Sequence, residues 1–315
     1  MYSSYFGFKE SPFNLTPDSK YFYLSRQHRE ALTYLLYGIH ERKGFIVLTG
    51  DIGTGKTTIC RSLLAHLNDS VDTALIFNSF MSDVEILETV TREFGLPRME
   101  TRGTVKDYID ALNEFLLANF AAGRTSVLII DEAQNLSHSA LEQIRMISNL
   151  ETEKEKLIQI VLIGQPELKK ILASPSLKQL NERITVRYDL QPLGNWEIRE
   201  YIRHRITVAG EKMGVKFSDG AHTRIYRYSR GNPRRVNAVC DRALLIAYSK
   251  NSNKIDKKTI GHAIKDIRRV ETPKIWEKKR IISFAVILII VAGGAILATL
   301  RFEDLMMLFR TYLTW

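Results

Sequence analysis

The residues from Gly50 to Thr58 combine glycines, a lysine and hydroxyl side chains in an order that is typical of phosphate binding. They read GDIGTGKTT, follow an apolar run and precede a helical pattern, which is the context that a phosphate-binding loop requires. Glycines let the backbone curl so that its N–H groups face the phosphates, and Lys56 can reach the β and γ phosphates. The Thr57 hydroxyl can ligate Mg²⁺. The pattern predicts an ATP site formed by Gly50, Asp51, Ile52, Gly53, Thr54, Gly55, Lys56, Thr57 and Thr58.

Two adjacent carboxylates, Asp131 and Glu132, are the second chemical signal. Both follow the apolar run Ser126–Ile130, so we expect them at the carboxyl end of a strand. Asp131 can then hold Mg²⁺ through water, while Glu132 can orient and deprotonate an attacking water. The order of the two acids favours hydrolysis of ATP over transfer of phosphate to a second substrate.

Two arginines stand where they could act on the γ phosphate. Arg234 lies in GNPRR, which opens a predicted helix, and could reach across to the nucleotide. Arg183 lies in NERI, after the fourth predicted strand and its helix, and could project into the site of a neighbouring subunit. Arg235 and Arg187 are the nearby alternatives for these two roles.

The segments that must position these residues alternate between short apolar runs and helical patterns. The sequence predicts strands at Phe45–Thr49, Thr73–Asn78, Ser126–Ile130 and Leu157–Ile163. It predicts helices at Ser25–His40, Thr58–Leu67, Val84–Phe94, Val105–Ala121 and Ser139–Leu150. Strands that alternate with helices indicate an α/β fold, an αβα sandwich of the P-loop NTPase type whose parallel sheet is covered on both faces. We assign this nucleotide-binding domain to residues 1–190.

Residues 191–270 have a different pattern, and no strand is predicted after Leu190. Helices are predicted at Trp196–Gly210, Asp219–Arg230, Arg234–Ser249 and Lys257–Arg269. We expect them to form a small helical lid domain over the nucleotide site.

The apolar run Ile281–Leu300 contains no charged residue and is about 30 Å long as a helix, enough to cross a membrane. It follows a basic linker, 271–280, and the residues from Lys254 to Arg280 carry ten Lys and Arg against four Asp and Glu. Basic residues favour the cytoplasmic side of a membrane helix. We therefore predict a single-pass membrane protein, with its ATPase domain in the cytoplasm and residues 301–315 outside.

Two further features agree with a cytoplasmic location. The cysteines Cys60 and Cys240 are far apart in the sequence and have no metal-ligand spacing, so we predict buried free thiols in a reducing compartment. The N-terminus has no basic start followed by an apolar run, so no signal peptide is predicted.

Phrases along residues 1–270 resemble the AAA+ ATPases of the general secretion pathway protein A type (ExeA/GspA). They include YFGFKESPFNLTPD, SRQHREALTYLLYGI, LTGDIGTGKTT, LIIDEAQNL, LIGQPEL, LNERI and GNPRRVN. Related ATPases occur in pilus and exopolysaccharide export clusters. Secretion members carry a periplasmic peptidoglycan-binding domain after the membrane helix. Only Arg301–Trp315 follows the apolar run here, so we expect a partner to supply wall binding.

The resemblance implies roles for individual residues. Lys56 and Thr57 belong to the Walker A motif, and Asp131 and Glu132 to Walker B. Gln165, after the fourth strand, is the sensor, although Asn, Ser or Thr is common at that place in the wider superfamily. The resemblance also implies that Arg183 is the arginine finger and Arg234 the second sensor.

These features favour a membrane-anchored ATPase that uses ATP and Mg²⁺ to drive or gate assembly of an envelope export system. Its expected partners are further copies of itself in a homo-oligomer, the membrane, and export or secretin-assembly components. An alternative is a DNA-associated AAA+ regulator of the transposition or origin-loading kind, because the net charge is +10 and a basic helical domain can contact phosphates. A third alternative is a nucleotide-gated scaffold with little turnover, which an intact Glu132 argues against.

Overall fold

The computed structural model describes residues 2–16, 18–77, 81–98, 103–153, 155–210 and 214–271. The chain divides into two compact units, Met1–Ala263 and Ile264–Trp315. All of the residues discussed as candidate site residues lie in the first unit. The predicted domain boundary at residues 190 and 191 therefore falls within one compact unit.

A five-stranded parallel sheet forms the centre of the first unit. Its strands are β1 (Phe45–Gly50), β2 (Val71–Ile76), β3 (Thr125–Ile130), β4 (Ile158–Gly164) and β5 (Ile184–Leu190). Their order across the sheet is β2-β3-β4-β1-β5, and every neighbouring pair is parallel. The carboxyl ends of all five strands therefore meet at one edge of the sheet, where β1 and β3 deliver the two sequence motifs.

The sheet is buried on both faces, which explains the continuous apolar runs of its central strands. Successive side chains of a strand point to opposite faces. In β1, Phe45 and Val47 accordingly join the hydrophobic cluster on one face, while Ile46 and Leu48 join the cluster on the other. The first cluster also contains apolar side chains of five α-helices, and the second contains apolar side chains of two.

Among the described residues, eight α-helices precede β5, and the second to the sixth of them lie close to their predicted positions. They are α1 (Tyr2–Phe6), α2 (Arg26–His40), α3 (Lys56–His66), α4 (Asp83–Glu93), α5 (Val105–Ala121), α6 (His138–Ile147), α7 (Glu167–Leu172) and α8 (Lys178–Arg183). Side-chain caps define several starts. The Thr104 hydroxyl accepts from the N–H of Asp107, and the Asp107 carboxylate accepts from Thr104, so α5 begins as predicted.

The sequence did not predict strand β5, because apolar and polar residues alternate along it instead of forming a continuous apolar run. Ile184, Val186 and Leu190 are buried, whereas Thr185 and Arg187 are exposed, as expected for a strand at the edge of the sheet. A search for continuous apolar runs does not find such a strand. The second strand was predicted at Thr73–Asn78, whereas β2 begins two residues earlier, at Val71. Asn78 lies outside the described residues.

A helical region follows β5, as predicted. It comprises α9 (Asn195–Ala209), α10 (Asp219–Ser229), α11 (Pro233–Ser249) and α12 (Lys257–Glu271). The expectation that strands end at Leu190 is wrong, because β6 (Lys216–Phe217) and β7 (Lys254–Ile255) pair in parallel. Each is two residues long, so neither produces a hydrophobic period that a sequence could reveal.

The N-terminal segment packs on the helical region before the chain enters α2. The Lys9 N–H donates to the carbonyl of Ala209, and Arg205 Nε donates to the carbonyl of Pro12. The Arg205 guanidinium also lies over the Tyr21 ring, 4.8 Å from its centroid. Asn14, Tyr21 and Tyr23 of this segment lie beside the phosphate-binding loop, where they line the same cavity as loop residues.

Both cysteines are free and buried, as predicted. Within the described part of the chain, no helix has the length and apolar character needed to cross a membrane. The predicted membrane helix Ile281–Leu300, the linker before it from residue 272 and the tail 301–315 lie outside the described residues.

Candidate functional site

The loop between β1 and α3 curls as the glycine pattern predicts. Gly53 and Gly55 adopt positive φ values of 80° and 104°, a region that favours glycine. A Cβ at Gly55 would lie 2.7 Å from His28 Nε2, so a larger residue has no room there. His28 Nε2 also lies 2.9 Å from the Thr54 carbonyl oxygen. An imidazole of α2 thus supports the loop from behind, which the sequence alone did not indicate.

Lys56 is buried within the loop that it belongs to. Its Nζ donates to the carbonyl oxygens of Gly50 at 2.8 Å and Asp51 at 3.1 Å. Burial lowers the pKa of the Lys56 ammonium, while the carboxylates of Glu132 and Asp131 oppose that shift. The side chain is thereby placed between the loop and the two acids, where the phosphates of a nucleotide would complete its partners.

Thr57 and Asp131 meet across the β1 and β3 ends. Thr57 Oγ1 donates to Asp131 Oδ2 at 2.9 Å. Burial raises the pKa of the Asp131 carboxyl, and the hydrogen bonds from Thr57 and from the Glu132 N–H oppose this shift. A hydroxyl and a carboxylate are oxygen ligands of the kind that Mg²⁺ prefers, often with waters and substrate phosphates completing its shell. This donor pair therefore fits Mg²⁺.

Glu132 follows Asp131 in a left-handed backbone conformation, with φ 52° and ψ 38°. Its Oε2 accepts from Gln134 Nε2 at 2.6 Å and from Gln165 Nε2 at 3.0 Å. Burial raises the pKa of this carboxyl, but the two amides and Lys56 outweigh burial, so the net pKa is lowered. The predicted sensor Gln165 thus contacts the predicted base directly. The contact between Gln134 and Glu132 was not predicted from the sequence. The only sequence signal for it is that Gln134 follows Glu132 by two residues.

A cavity of about 370 Å³ opens beside the loop. Its walls come from the phosphate-binding loop, Glu132, the N-terminal segment and the helical region. Several aromatic and polar side chains of the N-terminal segment line one side, among them Tyr21, Phe22 and Tyr23, and Arg234 and Asn237 line another. The volume lies within the range of small-ligand pockets.

The start of α11 approaches the phosphate-binding loop. Asn232 caps this helix by accepting from the N–H of Arg235, and its Nδ2 donates to the carbonyl of Ile52 at 2.6 Å. A Cβ at Gly53 would lie 2.8 Å from the Cβ of Arg234. The structure therefore places Arg234 beside the loop and the cavity, and it adds Asn232 as an unpredicted contact between the helical region and the loop.

Arg183 does not line this cavity. Arg183 is the last residue of α8, and its Nη1 donates at 3.0 Å to the Oγ of Ser148, which follows α6. The alternative, Arg187, is also outside the cavity and donates to the carbonyl and the side-chain oxygen of Asn181. Neither arginine is therefore brought to the nucleotide pocket of its own chain, which leaves the predicted action on a neighbouring subunit as a prediction.

The stability of the fold should depend on the protonation of His28. Burial lowers the pKa of this imidazole below its usual 6.5, so the native state disfavours a proton that the unfolded chain binds. The free energy of unfolding should then fall as the pH drops below about 6.5, by at most about 1.4 kcal/mol per pH unit from this group. Chemical unfolding between pH 8 and 5.5 measures the slope.

His28→Gln should reduce that slope, although the lost contacts lower stability at every pH. His40→Gln is the matched control, because His40 is exposed at the end of the same helix. His204 and His222 contribute slopes of the same sign, since burial lowers the pKa of each. An unchanged slope in His28→Gln would contradict the prediction.

Comparison with known proteins relates this architecture to one family. Residues 39–172 match the AAA domain family. Over 293 residues the chain is 41% identical to general secretion pathway protein A of Aeromonas hydrophila, a match that covers 93% of this chain and 53% of that protein. The chain thus spans about half the length of this relative.

Solved structures show the same fold at low identity. The ORC2 protein of Aeropyrum pernix, in ADPNP and ADP complexes, has a TM-score of 0.57 and 16% identity, covering 82% of this chain and 72% of that one. Cdc6p from Pyrobaculum aerophilum has a TM-score of 0.58 and 19% identity, covering 76% and 68%. At these identities the likeness shows the fold alone, a P-loop α/β fold with a parallel sheet.

Proposed function

The chain belongs to the AAA+ family, in the type of general secretion pathway protein A, and from this we propose that it binds ATP with Mg²⁺ and hydrolyses it. One observation carries the proposal. Lys56, Thr57, Asp131 and Glu132, which are separated by up to 76 positions in the sequence, converge at the carboxyl edge of β1 and β3. Lys56 and Glu132 both face the cavity.

The proposed division of labour follows from the chemistry of each group. The loop N–H groups and Lys56 bind phosphate charge in the ground state. Thr57 and Asp131 would hold Mg²⁺, whose charge would neutralise that of the phosphates. Glu132, kept ionised by its amide partners and Lys56, orients the attacking water and accepts its proton. Arg234, which also lines the cavity, would contact the nucleotide as the second sensor.

The direct test is phosphate release by the purified protein in the presence of ATP and Mg²⁺, alongside equilibrium ATP binding. Turnover that requires Mg²⁺ supports the proposal. Tight ATP binding without turnover would instead support the nucleotide-gated scaffold.

For its cellular role, we propose a homo-oligomeric ATPase at the bacterial inner membrane that drives or gates assembly of an envelope export system. The relationship to general secretion pathway protein A supports the export role. The sequence supports the membrane location through the uncharged run Ile281–Leu300 and its basic flank. Co-purification from detergent-solubilised membranes would identify the partner.

The membrane topology gives a separate prediction. A reporter that is active only in the periplasm should give a signal when fused after residue 315 and none when fused after Arg269. The physical reason is the positive-inside bias, since the segment before the run carries ten Lys and Arg and residues 301–315 carry only Arg301 and Arg310. A signal from the Arg269 fusion, or release of the protein by carbonate washing, would contradict the topology.

A further inference from the structure

The side chain of Gln134 lies between the Glu132 carboxylate and the peptide group that follows β4. Its Nε2 donates to Glu132 Oε2 at 2.6 Å, and its Oε1 accepts from the backbone N–H of Gln165 at 3.0 Å. A backbone N–H can only donate and an ionised carboxylate can only accept, so the two partners fix the orientation of the amide. Gln134 therefore links the end of β3 to the end of β4.

Local backbone features keep this link in place. Gln134 lies in a single 3₁₀ turn, Ala133–Asn135, directly after the left-handed Glu132. Such a conformation is unfavourable for a residue with a side chain and persists where its surroundings determine it. On the β4 side, a Cβ at Gly164 would lie 3.0 Å from Gln134 Oε1 and 2.8 Å from Leu168 Cδ2. The glycine thus leaves the space that the Gln134 amide occupies.

From this geometry we infer that Gln134 is a positioning residue for hydrolysis, which holds the Glu132 carboxylate in the orientation from which it meets the attacking water. The inference rests on the proposed function and adds a residue to it. Gln165 donates to the same carboxylate oxygen. The carboxylate is therefore held by amides from the ends of two adjacent strands, and removing the Gln134 amide leaves it less well oriented.

Loss of the Gln134 amide should affect ATP hydrolysis and not ATP binding. Glu132 lines the cavity, whereas Gln134 is not among the described residues that line it. Loss of the Gln134 amide should therefore lower kcat without weakening ATP binding. A misplacement of a reacting group by about 1 Å can cost on the order of 100-fold in rate.

The test uses substitutions that keep the size of the side chain. Gln134→Met removes both hydrogen bonds and should lower kcat about 10- to 100-fold, with an unchanged dissociation constant for ATP. Gln134→Glu keeps the shape but replaces the donor that faces Glu132, so it should lose at least as much. Gln134→Asn keeps the amide on a shorter side chain and should retain more activity than either.

A double substitution shows whether Gln134 acts through Glu132. If it does, Gln134→Met should cost nothing further in a Glu132→Gln background, because residues that act as a unit are not additive. A general loss of structure would instead lower the residual activity again.

Gln159→Met is the matched control. Gln159 is buried at the opposite end of β4, where its Oε1 accepts from the Gly44 N–H at 2.7 Å. This change should lower the thermal stability and leave kcat unchanged. If Gln134→Met does not fold, Gln134→Glu carries the same comparisons. Wild-type kcat in the Gln134 variants, or additive losses in the Glu132→Gln background, would overturn the inference. A wild-type protein without turnover would refute the proposed function instead.

Discussion

Lys56→Ala should lose ATP affinity by about 10- to 100-fold, whereas Glu132→Gln should keep ATP affinity and lose turnover by about 10²- to 10⁴-fold. The two groups meet the nucleotide at different stages. The Lys56 ammonium is buried among carbonyl oxygens and carboxylates, and it would contact phosphate charge that is present before reaction. The Glu132 carboxylate would act on water, which matters only in the hydrolytic step. Equilibrium binding and phosphate release, measured separately in both variants, distinguish these effects.

Glu167→Gln provides a matched control for the Glu132 substitution. Glu167 is an exposed carboxylate in the first turn of α7, and its charge also acts on Lys56. The same chemical change there should alter turnover little, because Glu167 is not among the described residues that line the cavity. An active Glu132→Gln protein would show that another group activates the water.

The central part of the fold could be predicted because its constraints are local in sequence. Strands β1, β3 and β4 are buried on both faces, so each is a largely apolar run between turn residues, with the buried Gln159 as a polar exception in β4. The phosphate-binding loop has its signature in eight consecutive residues. Edge strand β5 and the two-residue strands β6 and β7 lack such runs, because partial exposure or backbone pairing alone defines them.

The contacts of the site that the sequence did not predict join segments that are far apart along the chain. His28 supports Thr54 across 26 positions, and Asn232 contacts Ile52 across 180. In the sequence both look like ordinary polar residues at the start of a helix. Asn232 is the N-cap of α11, and His28 lies in the first turn of α2, three residues after its N-cap Ser25. Their role depends on how α2 and α11 pack beside the loop, and a single sequence does not specify that packing.

Arg183→Ala should lower turnover by about 10³- to 10⁵-fold if its guanidinium completes the site of a neighbouring subunit, the effect of an arginine supplied in trans in related phosphoryl transfer. Within its own chain Arg183, the last residue of α8, donates to Ser148 at the end of α6, and it is not among the described residues that line the nucleotide cavity. Any action on ATP must therefore cross a subunit boundary. Arg187→Ala is the matched comparison, because Arg187 lies on the adjacent strand β5 and bonds to Asn181 of α8.

Action in trans has a consequence that a structural role for Arg183 would not produce. The activity per subunit of the wild-type protein should rise with protein concentration as oligomers form. Mixing Arg183→Ala with Lys56→Ala subunits should restore part of the activity. Some shared sites then combine an intact Lys56 from one subunit with an intact Arg183 from its neighbour. Activity per subunit that stays constant on dilution to the monomer would exclude the predicted role of Arg183. Complementation by Arg187→Ala in place of Arg183→Ala, with Arg183→Ala itself active, would assign that role to Arg187.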